Sequence, residues 1–102
     1  MKKVYMKTYG KFLMGREDGA NALLAFRQQH GDAIHQRQVF FDFQDVPVLA
    51  PSFGDEFFTP LEKEYPGRII IDSGINTAVR KAFETIEQTQ KLKFVFSTFE
   101  EK

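Results

Sequence analysis

Two short stretches break the otherwise mixed polarity of the chain, Val39-Phe40-Phe41-Asp42-Phe43 and Ile69-Ile70-Ile71. Both are continuous apolar runs of β-branched and aromatic residues, which suits strands covered on both faces. Between and after them the period changes to that of a helix. Val79, Ala82, Phe83 and Ile86 fall at i, i+3, i+4, i+7, with Asn76 placed to cap the helix they predict. Phe53, Phe57 and Leu61 mark another helical face, starting at Ser52 and closed by Pro66-Gly67. An earlier helix runs from Asp18, as N-cap, to Gly31, with Ala20, Leu23, Leu24 and Arg27 at helical spacing. Phe94-Val95-Phe96 supplies a last strand, and Lys3 to Met14 reads as a hairpin of two antiparallel strands turning at Tyr9-Gly10.

The predicted order is β-β-α-β-α-β-α-β in one domain over 1–102, an α/β fold without linker or repeat. Right-handed crossovers make the last three strands parallel in a mixed sheet flanked by helices, with the antiparallel N-terminal strands on one edge. Pro60 disturbs the second helix. A proline there removes a hydrogen bond and clashes with the turn before it, at a cost of about 3 kcal/mol. Thr59-Pro60-Leu61-Glu62 has the form of a new helix start, so a kink or break is expected.

Composition narrows the function classes. With 12 Phe and 3 Tyr among 102 residues and no Trp, the core should be aromatic. Cys is absent, which removes disulfides and thiol chemistry and fits a reducing compartment. No apolar run reaches the roughly 20 residues of a membrane helix, so a soluble cytoplasmic protein is the expectation. A formal charge of zero speaks against a nucleic-acid binder. The charge is still segregated: residues 1–37 hold seven bases and three acids, residues 38–66 six acids and one base. Such an acidic block can steer a basic partner, or simply be a solvated surface.

Three strings resemble the STAS superfamily, the fold of bacterial anti-sigma factor antagonists, and more closely its STAS-like branch. Phe12-Leu13 with Arg16 and Gly19 is similar to that branch's approach to its first helix. Phe41-Asp42-Phe43, then Pro51-Ser52-Phe53-Gly54-Asp55-Glu56-Phe57, looks like its strand, loop and second helix. Asn76-Thr77-Ala78-Val79-Arg80 with Phe83, Phe94 and Phe96 is similar to the last helix and strand of antagonists. The resemblance implies a partner switch: a histidine-kinase-like ATPase docks on the start of the second helix and phosphorylates a serine, here Ser52, and the modification releases the complex.

Read from the residues, Ser52 also suits a plain capping role, with Asp55 completing a Ser-x-x-Asp box. Phe53, Asp55 and Glu56 are the expected partner contacts, although an acidic pair at a helix start is favoured by the helix dipole in any case. A second reading is a small-ligand or nucleotide sensor with its cleft at the carboxyl ends of the parallel strands, near Asp42, Ser52, Asp72 and Asn76. A third is self-association through surplus Phe such as Phe58 or Phe99. His30 and His35 sit in an expected polar loop and offer no metal site. No phosphate loop, nucleophile elbow or catalytic triad spacing is present, so no cofactor, metal or catalytic residue is expected.

Overall fold

The fold is built on four short strands, β1 (Lys2–Tyr5), β3 (Val39–Asp42), β5 (Ile69–Asp72) and β6 (Val95–Ser97), which lie side by side in that order and all run parallel. The computed structural model describes residues 1–100. Two strands of two residues each, β2 (Phe12–Leu13) and β4 (Val48–Leu49), form a separate parallel ribbon. Three helices, α1 (Arg16–Gln36), α2 (Pro51–Glu64) and α3 (Thr77–Gln90), make the crossovers. Because successive strands are added in one direction, right-handed crossovers bring all three helices to the same face. None of the helices among the described residues is long and apolar enough to cross a membrane.

The two apolar runs became the two central strands for the expected reason. Val39, Phe41, Ile69 and Ile71 join the helices in the core, while Phe40 and Ile70 point to the opposite face and are nevertheless buried. Among the described residues no helix covers that face. Its cover comes from the end of the chain: the Phe99 ring stands edge-on to Phe40 at 5.3 Å, and Lys3 Nζ lies 4.7 Å above Phe99. Under the helices, Phe26, Phe41, Phe57, Phe58 and Phe83 are all fully buried and joined ring to ring at 4.7–5.9 Å. Each such side chain stabilises the fold by roughly 1.5–3 kcal/mol relative to exposure.

Four local expectations fail. The N-terminal hairpin does not form; β1 pairs in parallel with β3, and Met6–Tyr9 is a single 3-10 turn with Met6 buried. Tyr9-Gly10 is not the Asn-Gly or Asp-Gly pair that closes a tight hairpin, and Val4 gains more by entering the core. Gly31 does not end α1, which begins at Arg16 behind Gly15, not at Asp18, and runs on to Gln36. Ile34, two turns beyond Phe26 on the same side, is 1% exposed, and Arg68 donates to the terminal carbonyls of Ile34 and His35 at 3.1 and 2.9 Å. Burial and that guanidinium cap outweigh the ~1 kcal/mol cost of an internal glycine. His30 and His35 accordingly lie on a helix, not in a loop.

Of the kink or break expected at Pro60, the break does not occur: helix α2 continues through the proline. Phe57, Phe58 and Leu61 are buried on both sides of the proline, and a break there would expose them. Thr59 is not a cap; its hydroxyl donates to Asp55 Oδ1 at 2.9 Å. The fourth correction concerns the loop after β3, which contributes β4 and thereby the partner for Phe12–Leu13. In contrast, Asn76 caps α3 as expected, accepting from Val79 N–H at 2.8 Å.

Candidate functional site

Two concavities flank the β2–β4 ribbon. The smaller, of about 160 Å³, lies at the start of α2 and is lined by Arg16, Ser52, Asp55, Thr85 and Thr89 among others. Its geometry follows from two glycines. A Cβ on Gly19 of α1 would sit 2.6 Å from the Phe53 carbonyl oxygen and 3.1 Å from its Cα, so α1 touches the α2 backbone directly. A Cβ on Gly54 would meet Ile86 Cδ1 of α3 at 2.6 Å. The first turn of α2 is therefore clasped from both sides, and Arg16, one turn before Gly19, is delivered to its acidic side chains.

Arg16 Nη1 donates to Asp55 Oδ2 at 2.9 Å and to Glu56 Oε1 at 3.1 Å. Partial burial would raise the Asp55 carboxyl, but the hydrogen bonds from Arg16 and Thr59, with the Arg16 charge, hold it below its usual range. The same bonds hold the Arg16 guanidinium above its own. The acidic pair expected to await a partner's base is thus already engaged within the chain. Phe53 is 1% exposed and stacks on Phe57 at 6.0 Å, so it is a core residue and offers a partner no surface.

Ser52 is half-buried at the second residue of α2. It is not the cap: Ala50 holds that position, without a capping side chain, and its own N–H donates to Leu13 O in the ribbon at 2.8 Å. Pro51 has no N–H, and the Gly54 N–H returns to Ala50 O at 3.1 Å. The N–H groups of Ser52 and Phe53 are left without an intrahelical acceptor, beside the Ser52 hydroxyl.

The larger concavity, about 920 Å³, opens at the carboxyl ends of the strands between Lys7–Phe12, the loop 43–47 and the turn 72–76. It includes Asp72 and Asn76 of the expected ligand cleft, but neither Asp42 nor Ser52. Asp42 is 8% exposed; its Oδ1 accepts from Gln44 N–H at 2.7 Å and its Oδ2 faces Lys3 at 3.4 Å. It finishes β3 and shapes the loop. Asp72 repeats the device at the end of β5, accepting from Gly74 N–H at 2.9 Å, and its Oδ2 has no partner among the described residues. The Asn76 amide donates to Pro47 O at 3.1 Å while its oxygen caps α3, so it ties the two loops of the cleft together.

No family model, curated protein or solved structure matches this chain. The functional reading therefore rests on the two concavities together with the resemblance carried by the strings quoted above.

Sequence reasoning missed the lysines Lys7 and Lys11 and the ring of Phe12, which is 63% exposed on the cleft rim. Nothing in their spacing marks them, since they come together only because β1 and β2 do not pair. The mutual role of Arg16 and the acidic pair was legible in principle. Arg16 and Gly19 share a helix side, and a small residue one turn from a base signals a close crossing. Phe58, expected as a surface ring for self-association, is fully buried, and Phe99 is half-buried against Phe40.

Proposed function

We propose that the chain is a STAS-like regulatory interaction module that docks on a histidine-kinase-like ATPase through the corner around Ser52, with the Ser52 hydroxyl as phosphoacceptor. One observation carries this reading: Ser52 is a half-buried hydroxyl that lines the recess at the helix tip, whose neighbours are clasped from both sides, and it is not engaged as the helix cap, a position that Ala50 occupies. The parallel order of β3, β5 and β6 and the string from Pro51 to Phe57 also support the STAS resemblance. The parallel setting of β1 departs from the mixed sheet that the resemblance implied.

The chemistry of the switch is electrostatic. Ser52 lies one turn before Asp55 and Glu56, so a phosphate adds about −1.5 to −2 of charge beside two carboxylates. It would compete with them for Arg16, the cation that shares its recess. The corner changes from a neutralised clamp to a strongly anionic tip, and a partner surface matched to the first is repelled by the second. Binding, not catalysis, is the activity.

The test mixes the protein with candidate ATPases and ATP. Phosphate should appear on Ser52 by mass spectrometry and be lost in Ser52→Ala. Ser52→Glu and Glu56→Lys should each weaken complex formation at least tenfold. Unchanged binding by Ser52→Glu, Asp55→Lys and Glu56→Lys together rejects the surface.

A further inference from the structure

The two edges of the main sheet differ in character. At one, β1 carries Lys2 and Lys3, charged side chains of the kind that keep an open strand from pairing with another chain. At the other, β6 lies within Phe94-Val95-Phe96-Ser97-Thr98-Phe99, a run without charge, proline or glycine and rich in strand formers. Val95 is 45% exposed, and no strand lies beyond β6 among the described residues. After Ser97 the chain turns across the open face to set Phe99 on Phe40 of β3, and so leaves that edge uncovered. The direction of the edge's backbone groups follows from the ladder. Ser97 turns its carbonyl to β5, where Ser73 N–H donates to it at 2.8 Å. Successive residues of a strand face opposite sides, so the N–H and C=O of Phe96 point away from the sheet, as does the Phe94 carbonyl. The trans peptide turns the Thr98 N–H the same way, opposite to the Ser97 carbonyl.

We infer that the free edge of β6 is the seam of a homodimer, in which a second copy of this chain adds its own β6 antiparallel about a two-fold axis at Phe96 and the two sheets become one. In this register Phe96 faces Phe96 of the second copy and each exchanges N–H and C=O. Thr98 N–H donates to the Phe94 carbonyl of the second copy, and the reverse. Val95 stands beside Ser97 of the second copy in a narrow pair without hydrogen bonds. Charge selects a second copy as the occupant. On the side of α3 above the seam, the Arg80 guanidinium lies 4.6 Å from the Phe96 ring, and Glu87 holds the Phe94 N–H at 2.9 Å. The two-fold axis reverses their order in the second copy, so Arg80 of each chain comes level with Glu87 of the other. The edge is thus complementary to itself, as a two-fold contact requires. This differs from the association through Phe58 and Phe99 suggested by composition, since those rings pack within the chain.

Analytical ultracentrifugation of the full chain over about a hundredfold range of concentration should show monomer giving way to dimer. In a mixture of isotope-labelled and unlabelled chains, filtered NOE spectra should connect Val95 Hα with Ser97 Hα of the second copy, the short contact of a narrow antiparallel pair. Thr98→Pro removes a seam N–H from an exposed residue, and should weaken association at least tenfold while the unfolding midpoint of the dilute protein stays where it is. Val95→Lys, also at an exposed side chain, should act likewise through the charge that guards open strands. A chain that stays monomeric throughout overturns the inference, as does a dimer whose NOE contacts lie outside 94–98, or one that both variants form as tightly as the parent. Neither residue lines the Ser52 recess, so docking there is left to its own test.

Discussion

The two concavities on either side of the β2–β4 ribbon are made in opposite ways. At Ser52 the backbones of α1 and α2 touch, Ile86 of α3 presses on Gly54, and the charged side chains are already paired. At the strand ends, loops diverge, Lys11 has no ion-pair partner among the described residues, and Phe12 stands in the opening. Rigid surroundings suit a hydroxyl that must be presented in one orientation. Separated walls suit a molecule that must enter. Substitutions at the helix contacts of the first region should therefore cost stability, and substitutions on the walls of the second should not.

The largest expected effect is at Gly19. Gly19→Ala puts a methyl 2.6 Å from a backbone oxygen that cannot rotate away, and should cost about 3 kcal/mol in urea unfolding. A neutral Gly19→Ala would mean that the helices are not clasped. Gly54→Ala meets only the end of the Ile86 side chain, which can turn aside, so a loss of about 1 kcal/mol is expected by the same measurement. The order of the two sharpens the comparison more than either value.

Arg16→Ala comes next, with a smaller loss of stability near neutral pH because the pair is open to solvent. Its sign with pH is fixed by Asp55. The native carboxyl is held below its usual range, so its contribution is complete above the unfolded value of about 3.9 and is lost as pH falls through the lower native value. The gap between the parent and Arg16→Ala should accordingly close in acid, and the Asp55 carboxyl resonance of the variant should titrate at higher pH. A gap that persists below that window would show that Arg16 acts by packing. The smallest effect belongs to the open cleft: Phe12→Ser should change stability by no more than about 0.5 kcal/mol, read from the same unfolding curves. A loss of 2 kcal/mol there would make Phe12 a core residue and erase the contrast.

How much of this could be read from the chain depends on distance along it. The central strands were legible because Phe40 and Phe41, or Ile70 and Ile71, need cover on both faces whatever the fold. Asn76 was legible because capping is local. Gly31 and Pro60 misled because local propensity was outweighed by tertiary burial, through Ile34 in one case and Phe57, Phe58 and Leu61 in the other. Ser52 was correctly placed at the start of α2, yet its expected companions are not free for a partner: Phe53 faces the core, and Asp55 and Glu56 hold Arg16. The cleft was anticipated at the strand ends but not its lysines or Phe12, which depend on which strand β1 chooses as neighbour.

Amide hydrogen exchange of the protein with and without a bound histidine-kinase-like ATPase tests the docking corner most directly. The N–H groups of Ser52 and Phe53 have no acceptor in the helix and should exchange quickly in the free protein. In the complex, protection should appear at 51–56 and at the start of α1, and should disappear with Ser52→Glu at the same total concentrations. Protection confined to 43–47 and 72–76, with no change at 51–56, would contradict the account.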